Sequence, residues 1–327
     1  MRTIALIGFG SAGKAFAQLV AEKYAEFPFR IVGIHTARHG TVYNPEGLSA
    51  TPDFGPAASN VSEFLDRARA DFMVELTALN PESGEPALSH IREAFARKMH
   101  VVTANKGPVA HAYAALRDEA RAAGVEFRFE STVMDGAPVF NMVRHTLPGV
   151  KILGFSGALN STSKVAIAAM REGRSMEDGI AEARRLGITE ADASFDIDGW
   201  DSAVKAAALA NVLMDARVTP LEVDRRGIGR LTPERVMDLA KKRKTISLIT
   251  RGKLTDEGVR MRVRAEVLDD TDILAAATGT SNLLLLHTDL MGAVGTVSIA
   301  PGVKQTAYGV FSDLVDITRT LSYAARA

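Results

Sequence analysis

Three glycines near the N-terminus carry the clearest chemical signal. They stand in the run Gly8-Phe9-Gly10-Ser11-Ala12-Gly13. This is the spacing of a loop that cradles a pyrophosphate. The first glycine permits a tight turn, the second lets phosphates approach the main chain, and the third lets a helix pack closely on a strand. A helix starting there also offers open N–H groups and the positive end of its dipole. The flanks supply the required context, since Thr3–Ile7 is apolar and β-prone and Lys14–Tyr24 has helical periodicity. Where the second strand should end, the chain reads His35-Thr36-Ala37-Arg38-His39-Gly40. No acid is present to take a ribose 2′-hydroxyl, so Arg38 either pairs with a 2′-phosphate or is a solvated loop residue.

A second group of residues is ionic. Asp201 and Lys205 are spaced i, i+4, which on a helix puts them on one face. Alone, that spacing fits an exposed ion pair worth about 0.2–0.5 kcal/mol as well as an oriented acid–amine pair. Lys106, in Asn105-Lys106-Gly107-Pro108, equally fits an ordinary turn. Acids recur at Glu190, Asp192, Asp196 and Asp198, but their spacing does not match an EF-hand. The three aspartates read as caps and solvation of a loop.

Two kinds of rhythm must position these residues. Strands at Ile31–Ile34, Phe72–Leu76, His100–Thr103 and Val125–Glu130 alternate with helices at Val61–Ala68, Leu88–Arg97 and Tyr113–Ala122. Thr36–Ser59, rich in Gly, Pro, Thr and Asn, reads mostly as loop. Alternation predicts a parallel, doubly wound α/β sheet, a Rossmann dinucleotide-binding domain over about 1–133. After that, helices at Ser163–Arg171, Met176–Leu186 and Asp201–Met214 precede strands at Ile246–Lys253, Arg260–Val267 and Asn282–Thr288. Grouped rather than alternating elements predict a second, α+β domain over about 134–308. A last helix, about Gly309–Ala325, is expected to pack back on the first domain.

Composition narrows the function classes. The 327 residues hold 39 Lys+Arg against 39 Asp+Glu, so nothing attracts a polyanion and no nucleic-acid partner is expected. There is no cysteine, which excludes disulfides, thiolate metal sites and a cysteine nucleophile. No apolar run is long enough to span a bilayer, so no membrane partner is expected. The N-terminal apolar run loosely mimics a signal peptide, but Lys14 interrupts it and the glycines have a better use. A cytoplasmic location is expected.

Longer motifs add a family. His100–Ala110 (HVVTANKGPVA) and Glu75–Ala87 (ELTALNPESGEPA) resemble signature segments of the homoserine dehydrogenases. Gly187–Lys205 (GITEADASFDIDGWDSAVK) is similar to the family's substrate segment, with a Glu, a later Asp and a following Lys in that order. Pro301-Gly302 and Gln305-Thr306-Ala307 resemble the loop that returns to the nicotinamide. The resemblance implies NAD(P)-dependent interconversion of homoserine and aspartate semialdehyde, with NADP favoured by Arg38 and NAD possible. It implies that Glu190 and Asp201 bind the substrate, and that Lys205 is the proton donor and acceptor. It puts Lys106 by the nicotinamide and substrate, and it has Thr77, Gly187 and Gly302 line the cofactor site. It implies a catalytic and dimerising second domain, hence a homodimer, and a monovalent cation, usually Na⁺, on the carbonyls of Glu130, Val133, Asp135 and Ala137. The chemistry is coherent. A proton must leave the hydroxyl as the hydride leaves its carbon, and a lysine whose pKa is lowered by burial or a neighbouring cation can take it.

Two departures from the family pattern stand out. Met134-Asp135 replaces a glycine-rich centre in the cation loop, and Asn160-Ser161-Thr162-Ser163-Lys164 replaces Asn-Gly-Thr-x-Asn. They motivate an alternative substrate, another small polar hydroxy acid or amino alcohol. A dinucleotide sensor without catalysis is disfavoured by the retained Lys106, Glu190, Asp201 and Lys205. The chain ends soon after Ala307, so no regulatory amino-acid-binding domain and no inhibition through one are expected.

Overall fold

The computed structural model describes residues 1–189 and 192–324, so Glu190 lies outside the described residues. The chain divides into two compact units, Met1–Phe140 with Gly302–Ala327, and Asn141–Pro301. Each is built on one six-stranded sheet.

The first unit runs β1 (Arg2–Ile7), α1 (Ser11–Glu22), β2 (Phe29–Thr36), β3 (Gly40–Tyr43), α2 (Val61–Ala68), β4 (Phe72–Glu75), α3 (Ala87–Ala96), β5 (His100–Thr103), α4 (Lys106–Ala123), β6 (Phe127–Arg128) and α5 (Ser131–Met134). Its sheet order is β3-β2-β1-β4-β5-β6, with all neighbours parallel except the β2–β3 pair. The inner strands are apolar on both faces, as a sheet covered twice demands, and Ile4, Leu6, Val74 and Val102 are fully buried. β3 corrects the expectation of a loop over 36–59. Glycine at its start and Asn44-Pro45 just after it hide the strand, and Thr36 and Gly40 pair across the three-residue turn that carries Arg38.

α4 corrects another boundary. It starts at Lys106 rather than Tyr113, because Gly107-Pro108 has the composition of a turn yet lies in the helix's first turn. A proline in a helix's first turn removes an N–H that has no intrahelical acceptor, so it is tolerated there. Asn105 caps this helix by accepting from the Gly107 N–H at 3.0 Å. Non-helical backbone at Ala112 then separates two helical stretches.

The second unit continues with α6 (Phe140–Thr146), β7 (Ile152–Ala158), α7 (Ser161–Arg171), α8 (Met176–Arg185), α9 (Ser194–Ile197), α10 (Trp200–Leu213), β8 (Asp224–Arg225), α11 (Pro233–Lys241), β9 (Lys244–Thr255), β10 (Gly258–Asp269), β11 (Asn282–Thr288) and β12 (Ala293–Ser298). Its sheet order is β12-β11-β7-β9-β10-β8, antiparallel except where β8 meets β10. β7 and β12 add to the strands that the sequence pattern predicts. Each carries glycine inside the strand, in ILGFSGA and AVGTVS, which weakens the β pattern. α10 is apolar almost all round, with Ala203, Val204 and Ala206 through Ala210 fully buried. A helix of that kind is an interior helix, so polar residues on it are buried as well.

The chain then re-enters the first unit as α12 (Val303–Ala324), which starts earlier than the expected Gly309. It packs on α1, with Val310 and Leu314 fully buried in the same core as Phe16 and Val20. Phe311 meets Phe27 and Phe29 edge-on at 5.5 and 5.8 Å, a geometry aromatic quadrupoles favour.

Candidate active site

In the first unit the glycine run behaves as its spacing requires. Gly8 has φ +93° and closes the turn after β1, and a Cβ there would lie 2.5 Å from the Leu76 carbonyl oxygen. A Cβ on Gly13 would lie 2.5 Å from the Gly8 oxygen, so the helix closes on the turn only because both are glycines. Gly10 differs, since a Cβ on it would meet nothing within 4 Å. No protein atom would meet a side chain there, so the space beside Gly10 is open. Gly10 also supplies the N-cap of α1 without any side-chain cap, so Ser11 and Ala12 present main-chain N–H groups at an uncapped helix start. Phe9 is buried and meets Phe54 edge-on at 5.7 Å. Arg38 and His39 are exposed in the β2–β3 turn, and the His39 ring lies 5.9 Å from Phe54.

At the far ends of β4 and β5, Thr77 and Asn105 are joined. Asn105 Nδ2 donates to the carbonyls of Thr77 and Ala78, both at 3.3 Å. Lys106 follows as the first residue of α4. Gly302 stands just before α12, where its N–H donates to Gln305 Oε1 at 3.0 Å. The segment Glu130–Ala137 is tied to α12. The Glu130 N–H donates to Asp313 Oδ2 at 2.8 Å, Ser131 Oγ to the Thr306 carbonyl at 2.8 Å, and Thr306 Oγ1 to Asp135 Oδ1 at 3.2 Å. Asp135 has φ +57°. Among the described residues no cluster of three or more His, Asp or Glu side chains is arranged to hold a metal.

The second unit brings the ionic residues together. Lys205 Nζ lies 2.9 Å from Asp201 Oδ2 and donates to the Leu159 carbonyl at 2.7 Å. Their side chains are only 13% and 11% exposed, so the exposed ion-pair reading fails. Asn160 is the hub. Its Oδ1 caps α7 through the Ser163 N–H at 2.8 Å, and its Nδ2 donates to Asp196 at 2.7 Å and Asp201 at 3.1 Å. Asp196 also accepts from Thr162 Oγ1 at 2.8 Å and Thr189 Oγ1 at 2.9 Å.

Asp196 therefore corrects the expectation of a loop-solvating residue. Burial pushes its carboxyl above the ordinary range, the Asp201 charge adds to this, and bonds from Asn160, Thr162 and Thr189 oppose it. Two carboxylates joined through one amide in this way disfavour the charged form of one of them. The sequence signal was weak because Asp196 and Asp201 are five apart, with α9 ending at Ile197 and Gly199 (φ +80°) starting α10. Asp192 does cap, accepting from the Ser194 N–H at 2.9 Å. Lys164 is buried and donates to the Ala158 carbonyl at 3.2 Å and to Asn282 Oδ1 at 2.9 Å. Gly187 follows α8 with φ +70° and belongs to this unit, whereas the other residues expected at the cofactor belong to the first.

Comparison with known proteins agrees with these two halves. A family model described as homoserine dehydrogenase matches residues 138–315, and one described as its NAD-binding domain matches residues 8–130. The chain is 34% identical to an NAD(+)-dependent homoserine dehydrogenase of Pseudomonas canavaninivorans, over 96% of this chain and 95% of that one. It is 35% identical to a homoserine dehydrogenase of Methanocaldococcus jannaschii, over 96% and 98%. A hyperthermophilic archaeal homoserine dehydrogenase solved in complex with NADPH superposes with a TM-score of 0.82 at 27% identity, covering 98% of each chain.

Proposed function

The chain belongs to the homoserine dehydrogenase family, and from that premise we propose how its own residues carry the NAD(P)-dependent interconversion of L-homoserine and L-aspartate 4-semialdehyde. The observation that carries the reading is the buried Asp196–Asn160–Asp201–Lys205 cluster. A zwitterionic amino alcohol has an ammonium that needs carboxylates and a hydroxyl whose proton needs an acceptor. The cluster offers both. Asp196 and Asp201 receive the ammonium, with Glu190 as a further carboxylate. Lys205, in its amine form, takes the hydroxyl proton during oxidation and returns it during reduction. Asp201 and the Leu159 carbonyl orient its nitrogen.

The dinucleotide, when bound, supplies the hydride acceptor or donor. Gly8, Phe9, Gly10, Ser11, Ala12 and Gly13 form the pyrophosphate turn, and the open space beside Gly10 is what supports this. Thr77, Lys106, Gly187 and Gly302 are assigned to the nicotinamide end. Arg38 is assigned to a 2′-phosphate, giving a preference for NADP. A monovalent cation, Na⁺, is proposed on the carbonyls of Glu130, Val133, Asp135 and Ala137. Carbonyl oxygens without clustered carboxylates suit a weakly charged hard cation better than a divalent one. It would brace the segment that α12 holds.

The test is to follow nicotinamide absorbance with purified protein and homoserine, with NADP and NAD in parallel. Wild type should turn over and favour NADP. Arg38→Ala should lower the NADP-to-NAD ratio of kcat/KM about ten-fold, the value of one charge-assisted bond to phosphate at an exposed site. An unchanged ratio removes Arg38 from the site, and no turnover with either cofactor rejects homoserine as substrate. In the same assay, choline in place of Na⁺ should lower kcat/KM, and an indifferent rate would sink the cation reading. Dimerisation through the second unit's sheet, where Leu153, Val267 and Val297 are exposed, is the proposed assembly. Light scattering should return twice the chain's 35.0 kDa, and a mass of one chain would reject it.

A further inference from the structure

Glu75 is a carboxylate with no accessible surface, at the last position of β4. Burying such a group is costly unless donors meet it, and the donors that meet it, Thr77 just after β4 and Thr103 at the end of β5, lie at or close in sequence to residues assigned above to the nicotinamide. Its Oε1 accepts from the Thr77 N–H at 3.1 Å and also from the Thr77 hydroxyl. Its Oε2 accepts from Thr103 Oγ1 at 3.1 Å. Thr103 Oγ1 in turn accepts from the Asn105 N–H at 2.9 Å. Asn105 Nδ2 closes the ring on the Thr77 carbonyl, and Asn105 Oδ1 caps the helix that begins with Lys106.

The circuit therefore runs Glu75–Thr77–Asn105–Thr103–Glu75, across the ends of two adjacent parallel strands. A carboxylate suits its centre because both oxygens only accept, and Thr77 and Thr103 both donate to them. His90 Nδ1 also faces the carboxylate, 3.7 Å from Glu75 Oε1 and beyond hydrogen-bond distance.

We propose that Glu75 is a positioning residue for the nicotinamide end of the dinucleotide site, its buried carboxylate fixing the two loops that carry Thr77 and Lys106. The proposal rests on the reading that those loops hold the nicotinamide. Thr77 has both its N–H and its hydroxyl oriented by one carboxylate, so its free rotamers are removed before a ligand arrives. Lys106 is set through Asn105, whose main chain and side chain both belong to the circuit. Glu75 itself, with no surface, touches neither cofactor nor substrate.

The experiment uses Glu75→Gln in the full chain. The dissociation constant is measured by fluorescence of NADPH or NADH, whichever wild type binds more tightly. A matching adenosine fragment, 2′,5′-ADP or ADP, serves as competitor. Gln keeps the shape but turns the charge-assisted bonds to Thr77 into neutral ones, roughly half as strong. Binding of the whole dinucleotide should weaken about five-fold, the equivalent of one ordinary hydrogen bond. Binding of the fragment, which lacks the nicotinamide, should stay unchanged. Thr103→Val, which cuts the circuit without touching Thr77, should shift binding the same way by less, and it carries the test should Glu75→Gln not fold. Equal weakening of dinucleotide and fragment would mean a general defect of the unit and overturn the proposal, as would no weakening of either. Thr77→Val separates the two layers of the argument. Weaker dinucleotide binding in Thr77→Val with none in Glu75→Gln rejects Glu75 alone. No change in Thr77→Val or Lys106→Ala rejects the nicotinamide reading beneath it.

Discussion

Lys205→Met should lower kcat for homoserine oxidation by about 100- to 10 000-fold, the range a positioned general base contributes, while the dissociation constant for NADPH stays at its wild-type value. Methionine keeps the length and apolar contacts of the lysine stem and removes only the amine. The Lys205 nitrogen is held at 2.9 Å from Asp201 and 2.7 Å from the Leu159 carbonyl, on an interior helix. Two anchors of that kind fix where the amine points, which a surface lysine cannot do. Lys106 is the competing proton carrier, and the same assay on Lys106→Met decides between them. If Lys106 only positions the nicotinamide and substrate, its loss should raise KM and weaken dinucleotide binding more than it lowers kcat. If kcat collapses in Lys106→Met and survives in Lys205→Met, the proton assignment is reversed. Paired stopped-flow and steady-state measurements separate the hydride step from product release, so a slow release in wild type does not mask the loss.

The parts of this enzyme that were legible in the sequence are those in which one local pattern has one structural meaning. Gly8, Gly10 and Gly13 mark a tight turn between strand and helix because the three are contiguous, and the structure reproduces that order. Alternating elements declared a parallel sheet for the same reason. What escaped depends on distant packing. β3 and β12 are flanked or interrupted by glycine, and they exist because neighbouring strands supply their hydrogen bonds. The burial of Asp201 and Lys205 was invisible because α10 has no polar face against which to judge them, and only the alanines packed around it put them inside. Asp196 was invisible for a different reason. Its partners Asn160, Thr162 and Thr189 come from the segments that start α7 and follow α8, so nothing local marks it as more than a cap. Glu75 was visible as part of a motif, but not its use, which depends on Thr103 twenty-eight residues later.

Asp196→Asn separates affinity from stability, because the two should move in opposite directions. In the wild type the folded-state pKa of Asp196 is raised, first by burial and then by Asp201. A raised pKa means the charged form is disfavoured in the folded state. The stability linked to this group is therefore fully present below the unfolded value of about 3.9 and is lost as pH rises through the folded value. Asparagine never ionises. Thermal melts across that window should show wild type losing stability with rising pH and Asp196→Asn losing less, and the variant should melt no lower than wild type near neutral pH. Its amide can still accept from Asn160 and meet the two threonine hydroxyls, so no buried group loses its partner. Substrate binding should behave the other way. A substrate ammonium favours the ionised carboxylate, and losing one member of a buried charge pair costs about 2–5 kcal/mol, or roughly thirty-fold to several thousand-fold in KM for homoserine. For wild type that KM should rise as pH falls toward the raised pKa, since protonated Asp196 no longer offers a charge, and in Asp196→Asn this acid-side rise should flatten. An unchanged KM, or a variant that melts well below wild type at neutral pH, would return Asp196 to a purely architectural role.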